Sequence, residues 1–457
     1  MNTLQRLIIA SSAMLVSSLC IAETLTLDKA IQMAISNDVW LKGSEYRQQA
    51  LISQGVAANQ LPDPKLSLSM ANLPSDTFDF GQEGMTQLKV GINQQFPRGN
   101  TRSLKQQLFQ ERSEETGYQR INRQAMMKLK ITHLWLEWLR YRNTIELIEQ
   151  DRSLFEELAD IVTISYASAI SATQQQDIIQ AQVELTRLDD RIYGLHEKAE
   201  VELSKLNEWL PKDDRISHVV NKRLPTIPSD YPQWVVGSVS DDKPYQPNDE
   251  QSLFSQLRNH PQVKQLDQRI TASDTAIKLS KQSYSPQWGV GVSYAYRDED
   301  PMGNSRADLI SVGVSVDMPL FTANRQDKQL EAAVAESSAV KTEKILLLRT
   351  LAAQVNQASA KLQRLEQRQT LYQTRLLTEI HDQVEASLTA YTNNNGDFNR
   401  VVRGRITELN SRIDALNIDV DRLKNIAQLN YLFSGSPLSA TSDTLGKTLD
   451  NTVGANQ

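Results

Sequence analysis

The sequence is poor in cysteine and in long hydrophobic runs, and each shortage excludes a class of protein. Cys20 is the only cysteine in 457 residues, so the chain is not a disulfide-stapled scaffold. Only residues 7–22 could enter a bilayer as a helix, and a mean hydropathy of -0.45 excludes a protein with many helical membrane spans. The net charge of -6 gives no electrostatic basis for binding nucleic acid.

Catalytic and metal-binding motifs are also missing from the sequence. It contains no G-x-S-x-G, no H-E-x-x-H, no phosphate-binding P-loop and no dinucleotide fingerprint. No two histidines have the spacing of metal ligands; they are His133, His196, His218, His260 and His381. We therefore expect no enzyme activity, no cofactor and no metal site.

The first 22 residues predict an export signal. Arg6 precedes an apolar stretch at 7–19, and Cys20-Ile21-Ala22 has the small-x-small pattern of a cleavage site. We expect the mature chain to begin near Glu23 and to lack Cys20. The alternative is lipidation of Cys20, which needs a small residue before the cysteine where this sequence has leucine.

The rest of the chain is an internal duplication. Four pairs of residues share an offset of 222 positions: Asn37 and Asn259, Pro64 and Pro286, Gly91 and Gly313, Pro97 and Pro319. Each half predicts a helix of roughly 35 residues that ends at a proline, a hairpin of two strands, and a long helical stretch broken once. The expected domains are a signal at 1–22, a first repeat at 23–210 with a hairpin at 65–96, a connector at 211–250, a second repeat at 251–433 with a hairpin at 287–318, and a disordered tail at 434–457.

Both predicted hairpins alternate apolar with small polar residues. Leu66, Leu68 and Met70 alternate with lysine and serine, and Val312, Val314 and Val316 alternate with serine and glycine. A soluble sheet with one wet face would give this pattern, and so would a barrel with lipid outside and water inside. We favour the barrel because the chain carries an export signal. Since the smallest such barrels have about eight strands, four strands per chain require at least two chains.

Two helical stretches are unusually long. Residues 101–168 and 326–392 contain no proline, and at about 1.5 Å per residue each would extend for about 100 Å. This length suits a coiled structure that crosses the periplasm. On the first stretch, Trp135, Leu136, Trp138 and Leu139 are expected to form a core between helices.

Several segments together resemble the TolC-like outer-membrane efflux proteins. They are "LTLDKAIQMAISND", "LPDPKLSLSM", "MTQLKVGINQQFPRGN" and "DIIQAQVEL", combined with the duplicated helix-hairpin-helix plan. The resemblance covers about residues 25–435, and two of the segments look most like the outer-membrane members of heavy-metal and related RND-type pumps.

The resemblance implies a fold, an assembly and a function. The fold is an α+β membrane protein, in which a homotrimer forms a 12-stranded outer-membrane β-barrel, four strands per chain, continuous with a long periplasmic α-helical barrel. The chain would be the passive exit channel of a tripartite efflux system for solutes, with metal ions or drugs as candidates. Its partners would be a periplasmic adaptor protein, an inner-membrane RND-type transporter and outer-membrane lipid. Type I protein secretion, or an envelope-spanning coiled-coil tether without a pore, are the alternatives.

The two helical turns are the predicted tip of the channel. By resemblance they contact the adaptor, through Ile170, Ser171 and Thr173 in the first turn and through Asn394, Asn395 and Gly396 in the second. As bare sequence they are hairpin turns that any pair of helices would need.

Two arginines follow the second turn at a place where the family often has acidic residues. If Arg400 and Arg403 face the lumen, three chains would form a pore constriction of six guanidinium groups that favours anions. The alternative is that both arginines pair with Asp397 or Asp177 on the wall.

Overall fold

The computed structural model describes residues 25–167, 175–210, 223–236, 250–300, 302–393 and 396–435. Its first half contains helices α1 (Leu27–Asn37), α2 (Val39–Ala58), α3 (Thr101–Ala167) and α4 (Gln175–Asn207), with strands β1 (Lys65–Ala71) and β2 (Gln87–Phe96) between α2 and α3. Its second half contains α5 (Glu250–Leu257), α6 (Pro261–Lys281), α7 (Gln326–Leu371), α8 (Leu377–Thr392) and α9 (Phe398–Leu432), with strands β3 (Gln287–Tyr296) and β4 (Leu309–Asp317) between α6 and α7.

The duplication read from the sequence recurs in the element boundaries. Strand β3 begins 222 residues after β1, and β4 begins 222 residues after β2. Helix α6 likewise begins 222 residues after α2. Both halves therefore place the same elements at equivalent positions of the chain.

The helix before each hairpin is divided, whereas the sequence predicted one helix of roughly 35 residues in each half. In the first half, Asp38 has an extended backbone (φ -70°, ψ 96°) and separates α1 from α2. In the second half, α5 and α6 are separated before Pro261, because proline disfavours the helical conformation of the residue that precedes it. His260 is extended there, and its ring nitrogen accepts a hydrogen bond from the Gln262 amide.

The long helices extend as the lack of proline predicted. Helix α3 has 67 residues, which corresponds to about 100 Å at 1.5 Å per residue. In the second half, α7 and α8 are joined by a short π-helical turn, Tyr372–Leu376, so that helical structure continues from Gln326 to Thr392. No described helix combines the length and the apolar composition that crossing a membrane would require.

The chain forms two compact units, and each takes equivalent segments from both halves. The described part of one unit lies within residues 39–123, 250–354 and 433–435, and it contains the four strands. These strands form one antiparallel sheet in the order β1-β2-β3-β4.

The described part of the other unit lies within residues 25–38, 124–236 and 355–432, and its regular secondary structure is helical. Trp135, Trp138 and Leu139 are buried there in a core built from α1, α3 and α4, while Leu136 packs with Val420 and Leu423 of α9. The predicted inter-helix core at these four positions is confirmed.

Several predictions lie outside the described residues. These are the signal at 1–22 with Cys20, most of the connector at 211–250, and the tail from residue 436 onward.

Candidate functional site

The sheet separates apolar from polar side chains between its two faces. The strand register aligns Leu66 with Ile92, Ile92 with Val292, and Val292 with Val312, so one row of apolar residues crosses all four strands. These side chains are exposed, Leu66 to 77% and Val312 to 71%. We name these four residues the apolar row.

The neighbouring row on the opposite face is small and polar. It joins Ser67, Gly91, Ser293 and Ser311 in the same register, and we name these four residues the polar row. The alternation is that of a sheet between an apolar and an aqueous medium.

The polar face is also the crowded face of the sheet. A Cβ atom on Gly289 would lie 2.5 Å from Ser315 Oγ, and one on Gly91 would lie 3.0 Å from Ser67 Oγ. Glycine at positions 91 and 289 therefore avoids contacts that a side chain would make on the polar face.

Aromatic residues mark both ends of the apolar face. Phe96 pairs with Trp288 at one end. Tyr294 and Tyr296 lie at the other end, where the Phe80 ring stacks on Tyr296 with centroids 6.1 Å apart. Trp288 and Tyr296 are eight residues apart on β3, or about 26 Å at 3.3 Å per residue. On a strand tilted by about 35–45°, as in outer-membrane barrels, this length covers about 20 Å across the membrane, which is most of the roughly 25 Å apolar band between their aromatic girdles.

The loops beyond the tyrosine end are joined by two arginines. Arg297 Nη2 donates to the Gly84 carbonyl at 3.0 Å, and Arg306 Nη1 donates to the Glu83 carbonyl at 3.0 Å. At the opposite end of the sheet, Arg98 forms an ion pair with Asp317, the last residue of β4. Both ends of the sheet are thus fixed by guanidinium groups.

The second helical turn contains the one predicted adaptor-contact residue that the structure describes, Gly396. A Cβ atom there would lie 2.6 Å from the Tyr391 backbone nitrogen, so only glycine fits. Asp397 then caps α9, because its Oδ1 accepts a hydrogen bond from the Asn399 amide at 3.0 Å. The ring centroids of Tyr391 and Phe398 lie 5.6 Å apart. The remaining predicted contacts lie outside the described residues: Ile170, Ser171, Thr173, Asn394 and Asn395.

Arg400 and Arg403 lie on α9 directly after this turn. Both are exposed and line one groove of about 420 Å³ between α8 and α9. Neither guanidinium forms an ion pair or a hydrogen bond with any residue that the structure describes, Asp397 and Asp177 included. Their role in the pore stays a prediction.

A buried carboxylate on α9 contacts two guanidinium groups and a histidine ring. Glu408 is 4% exposed, and its oxygens lie 2.9 Å from His381 Nδ1, 3.0 Å from Arg405 Nη1 and 3.0 Å from Arg412 Nη2. Arg412 also reaches Asp151 Oδ1 on α3 at 3.1 Å. The network therefore ties α8 and α9 to α3.

Burial and hydrogen bonding act in opposite directions on these carboxylates. Burial alone would raise the pKa of Glu408, but the hydrogen bonds from His381 and Arg405 and the nearby guanidinium charges outweigh it and hold the pKa below its usual value. For Asp151, burial outweighs the attraction of Arg412, so its pKa is raised. Sequence reasoning missed this network, although Arg405, Glu408 and Arg412 have the three- and four-residue spacing of helical ion pairs.

Among the described residues, no group of histidine, cysteine and acidic side chains could hold a metal ion. His133, for example, is hydrogen-bonded through its Nε2 to the Lys424 carbonyl oxygen at 3.1 Å, and burial lowers its pKa.

Comparison of the sequence finds no matching family model and no similar curated protein. Comparison of the structure finds clear similarity to solved outer-membrane proteins. The outer membrane protein VceC from Vibrio cholerae is 13% identical with a TM-score of 0.70, over 90% of this chain and 96% of that one. The CmeC outer membrane channel of Campylobacter jejuni is 13% identical with a TM-score of 0.69, over 93% and 90%. A membrane protein from Pseudomonas aeruginosa is 13% identical with a TM-score of 0.73, over 90% and 91%.

Because this chain is equally identical to all three proteins, the identities do not favour one sub-family over another. The closer likeness to the heavy-metal pumps stays a prediction. The long helices and the antiparallel four-stranded sheet agree with the predicted fold class over nine tenths of the chain. The chain therefore has the fold of the TolC-like outer-membrane channels.

Proposed function

We propose that this chain is the outer-membrane channel of a tripartite efflux system, assembled as a homotrimer and serving as a passive exit for solutes. The observation that carries the proposal is the two-faced sheet. The exposed apolar row crosses four strands and would be unfavourable in water. In an outer-membrane barrel, lipid would cover this row and the polar row would face the aqueous interior.

Closure of a barrel requires further copies of the chain. The described sheet has four strands, and β1 and β4 each have only one neighbouring strand within it. Because the order is antiparallel throughout, β1 and β4 run in opposite directions, and β4 of one copy can continue the same pattern with β1 of the next. Three copies give the 12 strands that the resemblance to TolC-like proteins implies.

The helices would then form the periplasmic part of the channel. In this arrangement a periplasmic adaptor contacts the two helical turns, around Ile170, Ser171 and Thr173 and around Asn394, Asn395 and Gly396. An inner-membrane RND-type transporter supplies the energy. Gly396 lies so close to the Tyr391 backbone that this position of the tip has no room for a side chain.

Arg400 and Arg403 would line the pore constriction. Exposure of both side chains, and the absence of an ion pair to any described residue, favour this placement over pairing on the wall. Three copies would bring six guanidinium groups together, which favours passage of anions. Ion selectivity that is unchanged in an Arg400→Asp, Arg403→Asp double variant would contradict the proposed constriction.

Conductance across a planar lipid bilayer tests the channel itself. We expect detergent-extracted protein to migrate as a heat-modifiable trimer and to give discrete current steps. The competing function, a coiled-coil tether, needs no lipid-facing strands and predicts neither. A protein that stays soluble without detergent and carries no current would eliminate the channel.

A further inference from the structure

The cationic side chains of α9 are paired with carboxylates, with two exceptions at its beginning. Arg405 and Arg412 bind Glu408, Arg422 contacts Glu366, and Lys424 contacts Glu137. Arg400 and Arg403 have no such partner among the described residues. Two unpaired guanidinium groups within one helical turn are therefore a local feature of this end of the helix.

Both unpaired arginines line the same groove. Its walls come from two helices of one chain, with Gln383 and Val384 on α8 and Asn399 and Thr407 on α9. Gly404 brings the two helices together, because a Cβ atom there would already lie 3.2 Å from Val384 Cγ2. The volume of about 420 Å³ lies within the range of small-molecule sites.

The chemistry of the groove fits an anion that carries more than one charge. Residues three apart on a helix lie on the same face, so Arg400 and Arg403 can direct their donors at one ligand. A guanidinium donates two parallel hydrogen bonds to a carboxylate or a phosphate group. Asp397 contributes one negative charge to the same groove, but one of its oxygens already accepts the Asn399 amide, and two positive charges oppose it.

We propose that the groove between α8 and α9 is a binding site for a small polyvalent oxyanion, held by Arg400 and Arg403. All the residues that line the site belong to a single chain. The proposal names the class of solute that the tip of the channel would bind. Only this biological role rests on the proposed channel function.

Isothermal titration calorimetry of the purified trimer in detergent tests the site directly. Pyrophosphate and citrate are titrated in separate arms, which distinguish phosphate from carboxylate chemistry, and acetate serves as the monovalent reference. We expect saturable binding of at least one polyvalent anion, about tenfold or more tighter than acetate, weakening as salt is added.

An Arg400→Gln, Arg403→Gln variant should bind about tenfold or more weakly. The matched control is Arg364→Gln, Arg368→Gln, which removes the same charge from exposed positions of α7 outside the groove. Circular dichroism and heat-modifiable migration establish that both variants fold.

Absence of saturable binding to either polyvalent anion in the wild-type protein would overturn the proposal. An equal loss of affinity in the control would also overturn it, because binding would then follow net charge. Single-channel current, recorded on the same preparations, reports separately on the proposed function. A protein that binds the anions but carries no current would refute the channel and leave the site standing.

Discussion

The orientation of the sheet toward lipid makes a strong prediction about two adjacent residues of β4. Val312 belongs to the apolar row and Ser311 to the polar row, and both lie on the same exposed edge strand. If the apolar face contacts lipid, arginine at position 312 lies near the middle of the bilayer. The cost at that depth is about 2–4 kcal/mol per chain, or about 6–12 kcal/mol for three independent copies.

The matched variant Ser311→Arg places the same charge on the aqueous side, where substitutions change stability by only about 0.5 kcal/mol. Folding into lipid vesicles at fixed protein concentration, followed by urea titration, measures both variants. We expect a large fall in the free energy of unfolding for Val312→Arg and little change for Ser311→Arg. Equal losses, or a larger loss for Ser311→Arg, would refute the orientation derived from the register.

Three further predictions concern the helices. Replacing Glu408 by alanine removes one carboxylate partner from Arg405 and from Arg412, which keep Glu385 and Asp151, and we expect chemical denaturation to report a loss of about 1–3 kcal/mol. Because folding lowers the pKa of Glu408, its contribution to stability is complete above its unfolded pKa of 4.5 and is lost as the pH falls through its folded pKa. The raised pKa of Asp151 changes the stability in the opposite direction. Stability measured between about pH 6 and about pH 3 should therefore fall less in Glu408→Gln than in the wild type. Gly396→Ala should increase hydrogen exchange at the tip turn, because the alanine Cβ would clash with the Tyr391 backbone. Gly117→Ala is the matched control: no atom lies within 4 Å of the alanine Cβ, so this variant should stabilise α3 by about 0.5–1 kcal/mol.

The strands and the long helices could be predicted because their signals are local. The alternation around Leu66 and Val312 is a two-residue pattern, and the register then aligns the two halves of the duplication. The extent of α3 follows from the absence of proline over residues 101–167.

Features that depend on contacts between distant residues could not be predicted. The division between α1 and α2 falls at Asp38; asparagine and aspartate favour helix ends but also occur inside helices, so the local pattern alone does not decide it. The network around Glu408 joins His381 and Asp151, which lie 27 and 257 positions away in the chain. The groove of Arg400 and Arg403 depends on how closely Gly404 lets α8 approach α9, a distance that sequence spacing does not contain.

Water accessibility of the two sheet faces tests the central claim most directly. Cys20 is the only cysteine, so Ser311→Cys and Val312→Cys in a Cys20→Ser background each carry one thiol. With the protein folded in lipid vesicles, a water-soluble maleimide should label the thiol at position 311 and spare the one at 312, and both should react after unfolding in SDS. Labelling of position 312 as fast as position 311 in the folded protein would contradict a lipid-facing sheet, and with it the channel.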